Sequence, residues 1–226
     1  QARLVAEQSS RLSCYLMGDV FSQAAAYAMA TIERSATMGV IVAAPTAGSA
    51  GVIPGAILTV AEKADFTDTQ LENALWCAAA VGALLARNAT VAGAEGGCQA
   101  EVGSAAAMCA AGLTELIGGT PELALSAAST AIANLLGLVC DPVRGLVEYP
   151  CQNRNVIGVA DALSAAQLAL SGVIEPLPFD EVVDAMRRVG QSLPATLRET
   201  ALGGLASTPS AATACSRCAI ATAKTD

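Results

Sequence analysis

Helix start and stop signals recur along the chain and leave little room for β-structure. A T-x-x-Q capping box at residues 67–70 opens a predicted helix that ends near residue 88. A T-P-E sequence at residues 120–122 combines an N-cap, a proline at the first helical position and an acid in the first turn, and it predicts a helix reaching about residue 138. No segment alternates apolar and polar residues over more than a few positions, as a half-buried strand would. We therefore predict an all-α fold.

Glycines and an aspartate mark the limits of the remaining helices, since glycine readily takes the left-handed conformation that ends a helix. The predicted helices run from residue 98 to about 117, closed by Gly118 and Gly119; from about 155 to 171, closed by Gly172; and from a cap at Asp180 to a point before Pro194. The last of these carries its apolar residues on one face, as a helix at the surface of a core does.

A chain of 226 residues can bury one continuous core without disulfides. No fixed-period repeat and no low-complexity linker divides it. We predict a single domain over residues 1–226, with a mobile, small and polar tail over about residues 210–226. Hydrophobic residues make up 54% of the chain but aromatic residues only 3%. The core must therefore consist mainly of closely packed Ala, Val, Leu and Ile.

Charge and hydropathy argue against several classes of partner. The net charge of −8, without a run of basic residues, disfavours nucleic-acid binding, which needs clustered Lys and Arg. Residues 35–61 form an uncharged run long enough to cross a bilayer, but its glycines and prolines would interrupt a membrane helix. The first twenty residues lack the features of a signal peptide. We expect a cytoplasmic protein with no nucleic-acid or membrane partner.

Missing residue types exclude whole chemistries. The chain has no histidine, which rules out within it a Ser-His-Asp triad, a Cys-His dyad and any zinc site that needs imidazole. The two lysines are Lys63, in a charged turn, and Lys224, in the tail, so a Schiff base with pyridoxal phosphate (PLP) is not expected. Eight cysteines remain. In a chain that is neither small nor marked for secretion, they are better explained as free thiols or metal ligands than as disulfides.

Three cysteines fall at predicted helix ends, where ligands are often bound. Cys98 follows two glycines, Cys140 follows the helix that opens at residue 120, and Cys151 precedes the helix that ends at Gly172. A helix N-terminus favours a thiolate, and nearby glycines let backbone N–H groups approach inorganic sulfide. The spacings, C-x41-C and C-x10-C, match neither ferredoxins nor zinc ribbons. From spacing alone, an iron-sulfur site and isolated structural thiols both stay open.

The other cysteines carry weaker signals. Cys14, Cys77 and Cys109 lie in apolar helical contexts, where a free cysteine is a small hydrophobic residue. Cys215 and Cys218 form a C-x-x-C pair in the tail, a pattern used by redox proteins and metal sites, but without the surrounding βαβ context. Incidental tail thiols and metal ligands are the two interpretations of this pair.

Four stretches make a family resemblance visible. They are APTAGSAGVIPG, GAEGGCQAEVGSA, CDPVRGLVEYPCQNRN and LRETALGGLASTP, in this order between about residues 41 and 209. Together they resemble the catalytic α chain of the iron-sulfur-dependent bacterial L-serine dehydratases. The resemblance implies a 4Fe-4S cluster held by Cys98, Cys140 and Cys151, with one iron left open as a Lewis acid for the substrate hydroxyl. The implied reaction converts L-serine to pyruvate and ammonia.

The resemblance also implies residues that bind the substrate. They are Thr46, Ala47, Gly48, Ser49, Asn153 and Arg154. The loop at residues 46–49 could hold a carboxylate with hydroxyls and backbone N–H groups, although a tight helix-entry turn is the structural alternative. For Arg154 the alternative is a structural salt bridge. The general base is unknown, since Glu101 and Glu148 fit better as capping residues or as partners of the metal ligands.

Two-chain relatives imply a separate β subunit and an oligomer. Residues 1–40 form a divergent N-terminal segment that does not match the family well, and neither Cys215 nor Cys218 matches the C-terminal cysteine of single-chain relatives. Two alternatives to the dehydratase stay open. One is a noncatalytic helical iron-sulfur subunit; the other is a related β-elimination on L-cysteine or L-threonine.

Overall fold

The structure is a computed structural model that describes residues 1–9 and 16–213. Cys14, the Cys215 and Cys218 pair and the predicted tail beyond residue 213 lie outside the described residues. Residues 209–213, which the tail prediction included in part, form a short helix.

The described residues confirm the all-α prediction. The helices are α1 (Ala2–Ser9), α2 (Gly18–Ala36), α3 (Val52–Lys63), α4 (Asp68–Asn88), α5 (Gly93–Gly96), α6 (Ser104–Leu116), α7 (Pro121–Asn134), α8 (Cys151–Leu170), α9 (Phe179–Ser192) and α10 (Pro209–Thr213). Short 3-10 turns and one π-turn, over Gln99–Gly103, connect them. Within these residues, β-pairing is limited to one isolated parallel bridge between Cys140 and Arg198.

The two capping signals form as predicted. Thr67 and Gln70 make both halves of the capping box, and α4 ends at Asn88 as expected. The Thr120 side chain accepts from the Leu123 N–H at the start of α7. However, α7 ends at Asn134 rather than near residue 138. Gly137 has a φ of +84°, and this left-handed residue redirects the chain toward Cys140.

Three predicted boundaries near the site were wrong. Residues 89–97 contain the one-turn helix α5, and the helix expected from residue 98 to 117 is divided into the π-turn and α6. Helix α8 begins at Cys151, four residues early, because the Arg154 N–H already bonds to the Pro150 carbonyl. Asp180 lies inside the first turn of α9 instead of capping it; the N-cap is Pro178.

Helix α6 lies at the centre of the core. All of its residues except Glu115 are buried, and it packs against α3, α4, α7 and α8. Small residues allow this close packing: a Cβ added to Gly112 would lie 2.8 Å from the Ala74 carbonyl oxygen of α4. The predicted core of alanine and aliphatic residues is thus confirmed in the described residues.

The uncharged run over residues 35–61 is divided among the end of α2, an irregular segment, a 3-10 turn and α3. In the part of the chain that the structure describes, no helix combines the length and the apolar character needed to cross a membrane.

Candidate active site

Three of the cysteines come together at one end of α6. Cys98 follows Gly97, whose φ of +77° turns the chain before the π-turn. Cys140 packs with Cys98 in a small buried cluster, and Cys151 is the first residue of α8. Cys98 and Cys151 both help to raise the pKa of Cys140, and Cys151 helps to raise that of Cys98. The sequence-predicted ligands are thus neighbours, although they come from three separate elements.

The segment over residues 197–205 holds Cys140 in place. The Cys140 N–H donates to the Leu197 carbonyl at 2.9 Å, and the Glu199 N–H donates to the Cys140 carbonyl at 2.7 Å. The Leu205 N–H donates to the Asp141 carboxylate at 2.7 Å. The fourth stretch of the family resemblance therefore fixes the backbone around a predicted ligand.

Arg154 forms a buried ion pair with Asp141 beside the cysteines. Its guanidinium lies 2.8 Å from the Asp141 carboxylate, and the two side chains are 14% and 3% exposed. It also donates to the Val139 carbonyl at 2.8 Å, and its charge opposes the rise in the pKa of Cys98. These contacts favour the salt-bridge interpretation of Arg154. They also bring a positive charge to the thiols, which would stabilise their anionic forms.

The thiols are strongly perturbed by their surroundings. Burial raises the pKa of Cys98 to about 12 and that of Cys151 to about 11. Burial and the neighbouring Glu101 carboxylate raise the pKa of Cys140 as well. Without a metal these groups are protonated at neutral pH, so metal binding at this site would release protons.

The donor set fits an iron-sulfur cluster. Among the described residues, no group of three or more Cys, Asp and Glu side chains converges closely enough to hold a single metal ion. A 4Fe-4S cluster has a different requirement, because each thiolate binds its own iron. Gly93 packs closely against the site, since a Cβ there would lie 3.0 Å from Cys140 Sγ and 2.5 Å from Glu101 Oε2.

Glu101 connects the cysteines to the loop at residues 46–49. The Thr46 hydroxyl donates to Glu101 Oε1 at 2.8 Å, and the Cys140 thiol lies 3.6 Å from Oε2. Burial raises the pKa of Glu101, and the bond from Thr46 partly opposes that shift. Glu148, by contrast, is exposed and contributes its carbonyl to the Gln152 N–H. Of the two carboxylates near the ligands in sequence, only Glu101 contacts a predicted site residue through its side chain in the described structure.

The loop itself is a 3-10 turn over Ala47–Ser49 that follows Thr46. The hydroxyls of Thr46 and Ser49 lie 3.2 Å apart, Ser49 is fully buried, and Ala47 is exposed. Gly48 faces Glu101, since a Cβ there would lie 3.3 Å from Oε1. The loop therefore brings two hydroxyls and small residues to the side of the cysteine cluster.

The first turn of α8 contains a residue that the sequence analysis missed. Asn153, predicted to bind substrate, is exposed, and its role stays a prediction. Asn155 is fully buried and hydrogen-bonds to the Gly48 carbonyl within the loop turn and to the Gly51 N–H just after it. An asparagine on the buried face of a helix was the available signal, since such a side chain needs partners.

An apolar groove of about 670 Å³ lies on the far side of the same loop. Its lining includes Ile41, Val42, Ala44, Pro45 and Leu75 and is almost wholly apolar. A small zwitterionic substrate needs polar partners. The side of the loop that faces Glu101 and the cysteines therefore suits such a substrate better.

A family model described as "Serine dehydratase alpha chain" matches residues 2–206. The L-serine dehydratase alpha chain of Peptoniphilus asaccharolyticus is 54% identical over 191 residues, which cover 84% of this chain and 65% of the relative. A Bacillus subtilis (strain 168) protein named "Probable L-serine dehydratase, alpha chain" is 52% identical over 194 residues, covering 86% and 65%. A Latilactobacillus sakei protein of the same name is 51% identical over 191 residues, covering 84% and 91%.

The chain thus spans 65% of the length of the first two relatives. The matched region includes the three stretches at residues 44–55, 93–105 and 140–155 and most of the fourth, at residues 197–209, which build the cysteine site and its neighbouring loop. The chain belongs to the serine dehydratase alpha chain family.

Proposed function

We propose that this chain is the catalytic α chain of an iron-sulfur-dependent L-serine dehydratase, which converts L-serine to pyruvate and ammonia. The observation that carries the proposal is the meeting of three thiols with a hydroxyl-bearing loop in a chain without histidine. In this proposal Cys98, Cys140 and Cys151 hold a 4Fe-4S cluster. Such a cluster, when bound, would supply a Lewis-acidic iron for the substrate hydroxyl.

The loop residues and the first turn of α8 would bind the amino acid. Hydroxyls of Thr46 and Ser49, with backbone N–H groups near Ala47 and Gly48, form the kind of polar surface that receives a carboxylate. Asn153, exposed in the first turn of α8, would complete the polar contacts. Binding at this position would bring the substrate hydroxyl to the side of the loop where the cysteines lie.

Arg154 and Glu101 would serve the site mainly by fixing its geometry. Arg154 pairs with Asp141, acts electrostatically on Cys98 and offsets part of the negative charge that a thiolate-bound cluster brings. Glu101 accepts from Thr46 and contacts Cys140, so it keeps the substrate loop next to a ligand. We assign neither residue to removal of the α-proton.

The name "alpha chain", carried by the family and its relatives, supports a separate β subunit as a partner. We propose such a subunit for this protein, and an oligomeric, cytoplasmic enzyme.

Cysteine substitutions test the proposal directly. After anaerobic reconstitution with iron and sulfide, Cys140→Ala and Cys151→Ala should lose the brown colour and most bound iron, because a chain without histidine offers no replacement for the thiolate. Formation of pyruvate from L-serine should disappear with the cluster. Cys109→Ala is the matched control, since Cys109 is equally buried but lies in the middle of α6 among core residues.

Full colour and turnover in Cys140→Ala would refute the ligand assignment. A cluster without dehydration of L-serine, L-threonine or L-cysteine would favour the noncatalytic subunit. Faster turnover of L-cysteine or L-threonine than of L-serine would support a β-elimination whose substrate is that amino acid instead of L-serine.

A further inference from the structure

One buried amide connects the proposed substrate loop to the helix that begins at Cys151. Asn155 has no exposed surface. Its Nδ2 donates to the Gly48 carbonyl at 2.7 Å, and its Oδ1 accepts from the Gly51 N–H at 3.0 Å. The same Nδ2 donates to the Cys151 carbonyl at 2.8 Å. A single side chain therefore contacts the loop at two points and the ligand residue at a third.

Of the two loop contacts, one lies inside the 3-10 turn and the other follows it. Gly48 is inside the turn Ala47–Ser49, and Gly51 immediately precedes α3. Backbone polar groups buried here need hydrogen-bond partners. A buried group without one destabilises the folded chain, because it has lost its hydrogen bonds to water. Because Asn155 supplies a donor to one group and an acceptor to the other, it specifies the position of the loop as well as its distance from α8.

The opposite side of the loop allows little movement. A Cβ added to Gly51 would lie 2.3 Å from the Ala28 carbonyl oxygen of α2. The loop backbone is therefore pressed against α2 on one side and hydrogen-bonded to α8 on the other. Asn155 is the contact that ties this backbone directly to the helix of Cys151, in addition to the bond between Thr46 and Glu101.

We propose that Asn155 is a positioning residue that holds the loop at residues 46–51 in place beside Cys151, so that L-serine affinity depends on it while cluster assembly does not. This inference rests on the proposed function. Asn155 does not need to touch the substrate, because its effect is transmitted through the Gly48 and Gly51 backbone.

The test compares wild type, Asn155→Ala and Asn134→Ala after anaerobic reconstitution with iron and sulfide. Asn134 is the matched control, since its amide also hydrogen-bonds a neighbouring helix, to Asp161 at 2.7 Å, without contacting the loop. In Asn155→Ala we expect iron and sulfide content equal to wild type, a KM for L-serine raised at least tenfold and a kcat reduced less than threefold. Hydrogen exchange of the amides at residues 49–51 should accelerate at least tenfold.

A KM and loop exchange within twofold of wild type would overturn the inference, as would an equal change in Asn134→Ala. If Asn155→Ala does not fold, Asn155→Asp replaces it, because it keeps the side-chain size and the acceptor for Gly51 but loses the donor to Gly48. The limits given above for KM and for amide exchange then apply to Asn155→Asp. If wild type itself forms no cluster, or does not act on L-serine together with its β subunit, the proposed function fails, and the exchange rates alone decide whether Asn155 positions the loop.

Discussion

At the scale of single residues, the site depends on buried polar groups that are satisfied by one another. Arg154 and Asp141 form a pair whose side chains are 14% and 3% exposed, and Arg154 also reaches Val139 and Cys98. The sequence predicted a site role or a salt bridge for Arg154 without deciding between them. Choosing between these two roles requires the position of Asp141, since an arginine at a loop-helix junction can face solvent or protein equally well.

The buried pair gives a stability prediction. Arg154→Met should lower the free energy of unfolding by about 3 kcal/mol, because it leaves the Asp141 carboxylate buried without its positive partner. Urea unfolding measures the change. The control is Arg187→Met, which breaks an ion pair with Asp184 on the exposed face of α9 and should cost about 0.5 kcal/mol or less. Equal losses in the two variants would contradict the buried role of Arg154.

At the scale of helices, capping motifs located the starts of α4 and α7, whereas the starts of α6 and α8 were missed. The capping box at Thr67 and the Thr120 N-cap depend on residues within one turn, so they can be recognised without knowledge of the fold. The early start of α8 and the π-turn before α6 cannot be recognised in this way, because they bring Cys151 and Cys98 to a site built by distant segments. Tertiary contacts override helix propensity there.

Helix packing gives a prediction about pH. Asp161 belongs to α8 and contacts Asn134 of α7. Burial raises the pKa of Asp161 to about 6, although the hydrogen bond from Asn134 opposes the shift. Below about pH 4 the carboxyl is protonated in both the folded and the unfolded chain. Between pH 4 and 6 only the unfolded chain ionises fully, so stability falls as the pH rises and levels off above pH 6.

Asp161→Asn removes this loss, because its side chain stays neutral. At pH 7.5 the variant should be more stable than wild type by about 2 kcal/mol, and at pH 4 the difference should be close to zero. Denaturant unfolding at the two pH values is the measurement. Asp65→Asn, at an exposed position between α3 and α4, should show no such pH-dependent gain. A gain for Asp161→Asn of the same size at both pH values would mean that ionisation is not its cause.

At the scale of the whole molecule, the sequence predicted the all-α class, the alanine-rich core and the three cysteines that meet at one site. Composition and the four stretches were sufficient for those. The contact between Asn155 and the loop was not predicted, because it joins positions 104 and 107 residues apart and leaves no local pattern. Sequence periodicity reports which face of a helix is buried, but it does not report which distant backbone that face will meet.

We propose that Cys98, Cys140 and Cys151 hold a cluster with an iron that is open to L-serine. Electron paramagnetic resonance of the anaerobically reconstituted and reduced protein, recorded with and without L-serine, tests this proposal. We expect a cluster signal that shifts on addition of L-serine and is absent in Cys151→Ala. A signal that is unchanged by saturating L-serine would contradict substrate binding at the cluster.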